Sequence, residues 1–191
     1  MKQLAMRLAL FALACVSGGA NAQLQQQLIA AGSEITFTNK QMGVSMSGRF
    51  KRFDAAVSFE PSRPQTSKIG LVVDLTSVAL GSADNEALLA RTDWFDSKNH
   101  PKASFESTSV KALDAKKFEA RGKLTLKGVS RDVVVPFDLS AQTGDAVVTG
   151  AFMLRRKDFG IGIGEWEDVS LVANEVNVRF RFVLRGLPPP R

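Results

Sequence analysis

Residues Gly122 to Phe137 read GKLTLKGVSRDVVVPF, and this run constrains the fold more than any other. Leu124 and Leu126 alternate with Lys123, Thr125 and Lys127. Beyond the turn at Gly128, Val133, Val135 and Phe137 alternate with Val134 and Pro136. Alternation at period two puts the apolar side chains of a strand on one face, and two such runs joined tightly form an antiparallel hairpin. An apolar face shared by two strands must be buried, either by more protein or by a guest molecule.

The same period recurs along the chain. It carries Ile35 and Phe37, then Val44 to Phe50, then Ala55, Val57 and Phe59, then Ile69 to Leu75. It resumes with Ala103, Phe105 and Val110, with Phe118 to Leu126, with Val148 to Leu154, and with a long last run from Val176 to Leu184. Between Ser82 and Asp93 the alternation stops, and the run reads as a short helix with Ser82 or Asp84 as its N-cap. Eight or nine short strands and one helix imply an all-β barrel or sandwich in a single domain. An eight-stranded barrel either fills its interior with side chains or holds one small ligand, and periodicity alone does not choose between them.

The N-terminus reads as a secretory signal. Lys2 and Arg7 precede the apolar run Leu8 to Val16, and Ala20-Asn21-Ala22 forms a small-residue cleavage site. Cleavage after Ala22 would send the chain to the periplasm. Cys15 is the one cysteine and lies inside this leader; Ala12 suits a lipoprotein site poorly. The mature chain then has no thiol and folds without disulfides. Gln23 to Gly32 is expected to be a loose lead-in, residues 33–185 the barrel, and residues 186–191 a frayed tail. Removing Lys2 and Arg7 takes the net charge from +6 to +4. That mild excess suits transient contact with anionic membrane surfaces, whereas the absence of a basic cluster argues against nucleic acid.

Chemistry-bearing motifs are scarce. His100 is the only histidine, which excludes a zinc site built from several, and no EF-hand-like spacing occurs. A Ser-His-Asp triad would need His100 as base, yet there is no G-x-S-x-G elbow. Gly160 to Gly164 lacks the spacing of a dinucleotide loop and reads as a rim loop. Asp93, Asp96 and Asp158 are not placed at a shared site by anything in the sequence. No catalytic residue, metal ligand or resident cofactor is expected.

Three runs together carry a resemblance: Trp94 to Phe105 (WFDSKNHPKASF), Gly122 to Val129 (GKLTLKGV) and Arg156 to Ile161 (RKDFGI). With the Gly48/Phe50 pair and Asp74 to Ser77, in this order and with a helix between them, they resemble the YceI-like family of secreted lipid-binding proteins over Ser33 to Leu184. The resemblance implies an extended eight-stranded antiparallel lipocalin-like barrel enclosing an elongated apolar tunnel. It implies a carrier, not an enzyme, whose guest is an isoprenoid or acyl-chain amphiphile such as a polyprenyl quinone. Many members carry histidines where this chain has Gln41 and Lys127.

The wall residues expected on this basis are Phe37, Val44, Phe50, Leu71, Val73, Phe105, Leu124, Leu126, Val135, Phe152, Phe159, Val178 and Phe180. Arg91, Asp93, Arg156 and Asp158 are expected at the rim beside a polar headgroup, or else Arg156 and Asp158 pair to fix the loop. Two rival functions remain from the sequence: an enzyme acting on a lipid or its headgroup, and an interaction module for a membrane redox protein. The oligomeric state stays open, a homodimer among the options.

Overall fold

The computed structural model describes residues 25–141 and 144–187. The expected signal segment, residues 1–22, and residues 188–191 of the expected tail lie outside these. The strands are β1 (Gln27–Gln41), β2 (Val44–Phe50), β3 (Phe53–Ser58), β4 (Lys68–Asp74), β5 (Val78–Ala79), β6 (Lys102–Ala112), β7 (Lys117–Leu126), β8 (Val129–Ala141), β9 (Asp145–Arg155) and β10 (Glu175–Arg185). The helix α1 (Ala83–Ala90) lies between β5 and β6. All ladders are antiparallel, in the order β3-β4-β6-β7-β8-β9-β10-β1-β2-β5.

Ten segments make the eight staves the sequence implies, because two staves are broken. β2 and β3 form one, interrupted at Lys51 and Arg52; β4 and β5 form the other, interrupted by a 3-10 turn at Leu75–Ser77. β3 pairs with β4, and β2 pairs with β5. The breaks bind one another: Lys51 N–H donates to the Ser77 carbonyl (3.1 Å), Asp74 N–H to the Arg52 carbonyl (3.0 Å) and Arg52 N–H to Ser77 Oγ (2.9 Å). Gln26 ties the sheet back on itself. Its N–H donates to the Val57 carbonyl (2.8 Å) and its Oε1 accepts from Phe59 N–H (2.6 Å). A narrow barrel coils its strands sharply, and interruptions of this kind supply the bend.

The hairpin of Gly122 to Phe137 is β7–β8. Its two-residue turn, Lys127 and Gly128, has φ of 50° and 74°, the doubly left-handed geometry that matches strand twist. Met42 and Gly43 (φ 48° and 80°) close β1–β2 in the same way. Ser82 caps α1 by accepting from Asn85 N–H (3.5 Å), and the Glu86 carboxylate reaches back to the N–H groups of Leu80 and Gly81 (2.9 and 3.2 Å).

One expectation about the domain is corrected. Residues 27–32 are not a loose lead-in: Gln27, Leu28 and Ile29 pair with Arg185, Leu184 and Val183 of β10. The register shifts between Ile29 and Glu34, with Gly32 at φ 83°, and Ser33 Oγ pins the irregularity by donating to the Ile29 carbonyl (2.6 Å) and accepting from Val183 N–H (2.9 Å). The bulge breaks the period, so the pairing is invisible to a period-two search. At the other terminus Leu187 packs on the core, so the tail is ordered at least that far.

Candidate functional site

The barrel encloses a cavity of about 280 Å³. A water-sized group needs about 10–15 Å³ of such space, so the lumen holds on the order of twenty methylene-sized groups. Phe37, Phe50, Leu71, Val73, Phe105, Leu124, Leu126, Val135, Phe152, Val178 and Phe180 all line it. They come from eight of the strands, brought to one surface by the shared inward parity.

The lumen is blind at one end. Phe118 is flanked by Phe59 (5.0 Å, edge-on) and Phe137 (5.4 Å, stacked), and the buried side chains of Val110 and Leu139 complete this plug. At the opposite end α1 and the loops after it and after β9 cover the barrel in part, leaving Asn85 of the lining exposed at the mouth. There Leu75, Leu89, Trp94, Phe159 and Ile161 form a second core. The lining next to α1 and the β1–β2 hairpin contains Met46, Leu80, Leu88 and the amides Asn39, Gln41 and Asn85. None of these was expected from the sequence. Asn39 and Gln41 were legible, since they continue the parity of Ile35 and Phe37; Asn85 and Leu88 share a helix face at a spacing of three.

Glycines shape the bore. Phe37 lies opposite Gly48 across β1–β2, and Phe180 opposite Gly150 across β10–β9. A Cβ on either glycine would collide with the facing ring. Each ring therefore lies over its glycine along the wall instead of standing into the lumen.

Two wall expectations are corrected. Val44 shares the face of Gln41, its cross-strand partner, but follows the Met42–Gly43 turn, beyond the opposing wall, and is 63% exposed. Phe159 is only 2% exposed but packs in the core beneath the covering loops, outside the lumen.

The rim expectations change more. Arg156 does border the cavity, yet it is 1% exposed and all five of its N–H donors are taken. Nε donates to the Ala173 carbonyl (3.1 Å), Nη1 to those of Ile161 and Gly162 (2.8 and 2.7 Å), and Nη2 to those of Trp166 and Val172 (2.7 and 2.8 Å). Its Cζ sits 5.9 Å from the centre of the Trp94 ring. Burial pushes its pKa down, opposed by the charge of Glu167. Arg156 and Asp158 do not pair: they are two residues apart in the 3-10 turn Arg156–Phe159 and point to different sides, leaving Asp158 exposed.

Arg91 and Asp93 are likewise outside the lining and bond to each other (3.1 Å). Asp93 fastens the covering loops together. Its Oδ2 accepts from Trp166 Nε1 (3.0 Å), and its carbonyl accepts from the N–H groups of Gly162 and Ile163 (2.8 and 3.1 Å). Lys127 adds a third tie, Nζ donating to the carbonyls of Thr92 and Gly160 (2.7 Å each). Burial pushes its pKa down, partly offset by Asp96 and Asp93. His100 lies away from the lumen, against Gly128, with Nε2 4.0 Å from Asp96.

A closed antiparallel barrel with a deep, one-ended apolar lumen belongs to the lipocalin-like class of binding barrels. The YceI-like domain model matches residues 27–184, and this chain belongs to that family. A UPF0312 protein of Azotobacter vinelandii is 30% identical over 151 residues, 75% of this chain and 77% of the relative. Another, from Pseudomonas aeruginosa, is 34% identical over 134 residues, 66% and 70% of the two chains. Among solved structures, BcnA of Burkholderia cenocepacia superposes with a TM-score of 0.80 at 34% identity, over 82% of this chain and 99% of that one. A polyisoprenoid-binding domain from Saccharophagus degradans shares the fold, with a TM-score of 0.69 at 15% identity over 86% and 99%.

Proposed function

We propose that this protein is a periplasmic carrier that sequesters one long-chain isoprenoid lipid, a polyprenyl quinone foremost, in the barrel lumen. The observation that carries the proposal is the lining: apart from Asn39, Gln41, Asn85, the saturated Arg156 and the indole of Trp94, every lining side chain is apolar. Burying a hydrocarbon chain gains about 25 cal/mol per Å² removed from water, so such a lumen needs few polar contacts for affinity. The fold shared with a polyisoprenoid-binding domain supports the same guest.

The lining contains no Ser, Thr, His, Asp or Glu among the described residues, so no nucleophile or acid–base pair faces a bound chain. This favours carriage over the enzyme alternative. Met42 and Val44, 69% and 63% exposed, project with Leu171 beside the amide-lined end, Met42 N–H bonding the Leu171 carbonyl (2.8 Å). An apolar tip on a mildly basic protein supports brief contact with a membrane surface during loading.

The test is native mass spectrometry and solvent extraction of protein purified from its own periplasm. A co-purifying isoprenoid lipid, at one per chain, is expected. A lipid-free protein that also fails to bind added ubiquinone would refute the carrier role.

A further inference from the structure

We infer, building on the carrier role proposed above, that Asn39, Gln41 and Asn85 form a headgroup subsite at the mouth of the lumen. This subsite selects uncharged, hydrogen-bonding headgroups and rejects anionic ones.

The polar groups of the lining that remain available are the three carboxamides and the Trp94 indole N–H, which is buried without a hydrogen-bond partner. Asn39 and Gln41 sit on the inward face of β1, while Asn85 shares with Leu88 the face of α1 that borders the same cavity. Among the described residues none of the three side chains has a hydrogen-bond partner, and none of their amide atoms is a buried orphan, so they face open space. Each offers two N–H donors and one carbonyl acceptor. Together they match a quinone carbonyl, a phenol or an alcohol.

An anionic headgroup finds no counter-charge in this lining. Among the described residues Arg156 is the one cation that borders the cavity, and its five donors are held by five backbone carbonyls. Lys127 is held by two more carbonyls, and Lys40 lies on the opposite face of β1 from its neighbours Asn39 and Gln41. A phosphate seated at the amides would surrender its hydration without an ion pair in exchange.

Orientation follows from the same geometry. β1 runs from Leu28, packed on the blind end, to Gln41 at the amide end. A chain that fills the lumen toward Phe118 therefore leaves its headgroup at the amides.

The experiment uses the mature, lipid-stripped protein and four probes: geranylgeraniol, a geranylgeranyl-substituted quinone, geranylgeranyl monophosphate and the headgroup-free hydrocarbon phytane. Binding is read by intrinsic tryptophan fluorescence, to which Trp94, bordering the lumen, and the adjacent Trp166 contribute. The quinone and the alcohol are expected to bind at least about tenfold more tightly than the monophosphate. Asn39→Leu/Asn85→Leu, and separately Gln41→Leu, are expected to weaken quinone binding about tenfold while phytane binding stays unchanged, which also shows that the variants fold. Monophosphate bound as tightly as the alcohol, or quinone affinity untouched in both variants, overturns the subsite while phytane binding upholds the carrier. Failure of all four probes on the unmodified protein overturns the carrier and the subsite with it.

Discussion

Arg156 holds its charge with no carboxylate in contact. Five carbonyls from Ile161, Gly162, Trp166, Val172 and Ala173 wrap it, so the side chain reads the path of the loop after β9 and not the side chains along it. A lysine supplies three donors from a single point, and two or more carbonyls would be left buried and unpaired. Arg156→Lys is expected to cost about 3 kcal/mol, seen as a fall in Tm of roughly 6–12 °C in thermal unfolding. The motif around Arg156 was visible in the sequence, but its role was not, because backbone acceptors leave no signature in side-chain chemistry. The trace they do leave is Gly162: its φ is 68°, and a Cβ there would strike the guanidinium. Arg91 and Asp93 were misread for a related reason. Charged residues flanking a helix end resemble a ligand site until the loop they fasten is seen.

Elements were more legible than residues. Period two identified the main strands and their inward faces, and the one break in period identified α1, with Ser82, the observed cap, as one of the two it offered. The division of two staves was not legible. Lys51 and Arg52 carry no turn signal, and the break depends on Ser77 and Asp74 in a partner distant in sequence. The inward glycines deserve a functional reading that strand propensity would deny them. With Gly48→Ala the new methyl meets only side chains, and the facing ring of Phe37 must swing into the bore, with Leu80 giving way beside it. Lipid affinity measured by fluorescence titration is expected to fall about tenfold, since each displaced methylene-sized site forfeits about 0.8 kcal/mol and a ring covers more than one. Unchanged affinity would show that the ring finds room elsewhere.

At the scale of the molecule, closure was readable from strand count only together with the family resemblance, and hollowness was not readable from period at all: periodicity reports which face is inward and says nothing of how far side chains reach across it. Acid stability is also a property of the whole. The Thr76 hydroxyl, foremost, holds the Asp74 carboxyl below its ordinary value of 3.8, and Lys111 holds Glu119 below 4.5. The unfolded chain thus binds more protons in acid than the folded one. The stabilisation is complete above these ordinary values and drains away as pH falls below them toward the folded values. Asp74→Asn is expected to flatten the Tm-against-pH curve below pH 3.8. Contact with a bilayer is tested on the same scale: Met42→Asp/Val44→Asp is expected to slow quinone transfer from vesicles containing anionic lipid while leaving affinity in detergent solution unchanged.

On the carrier role proposed above, the phenylalanine plug at the blind end limits the traffic the barrel can bear. Cargo and the water it displaces must pass through one port in opposite directions, and a tail that went in first comes out last. Such a protein cannot stand between two membranes as a conduit that accepts at one end and delivers at the other. As the carrier proposed above, it would have to let go of the donor surface, turn and present the same port to the acceptor, so that delivery would be set by tumbling and encounter, in the manner of a ferry.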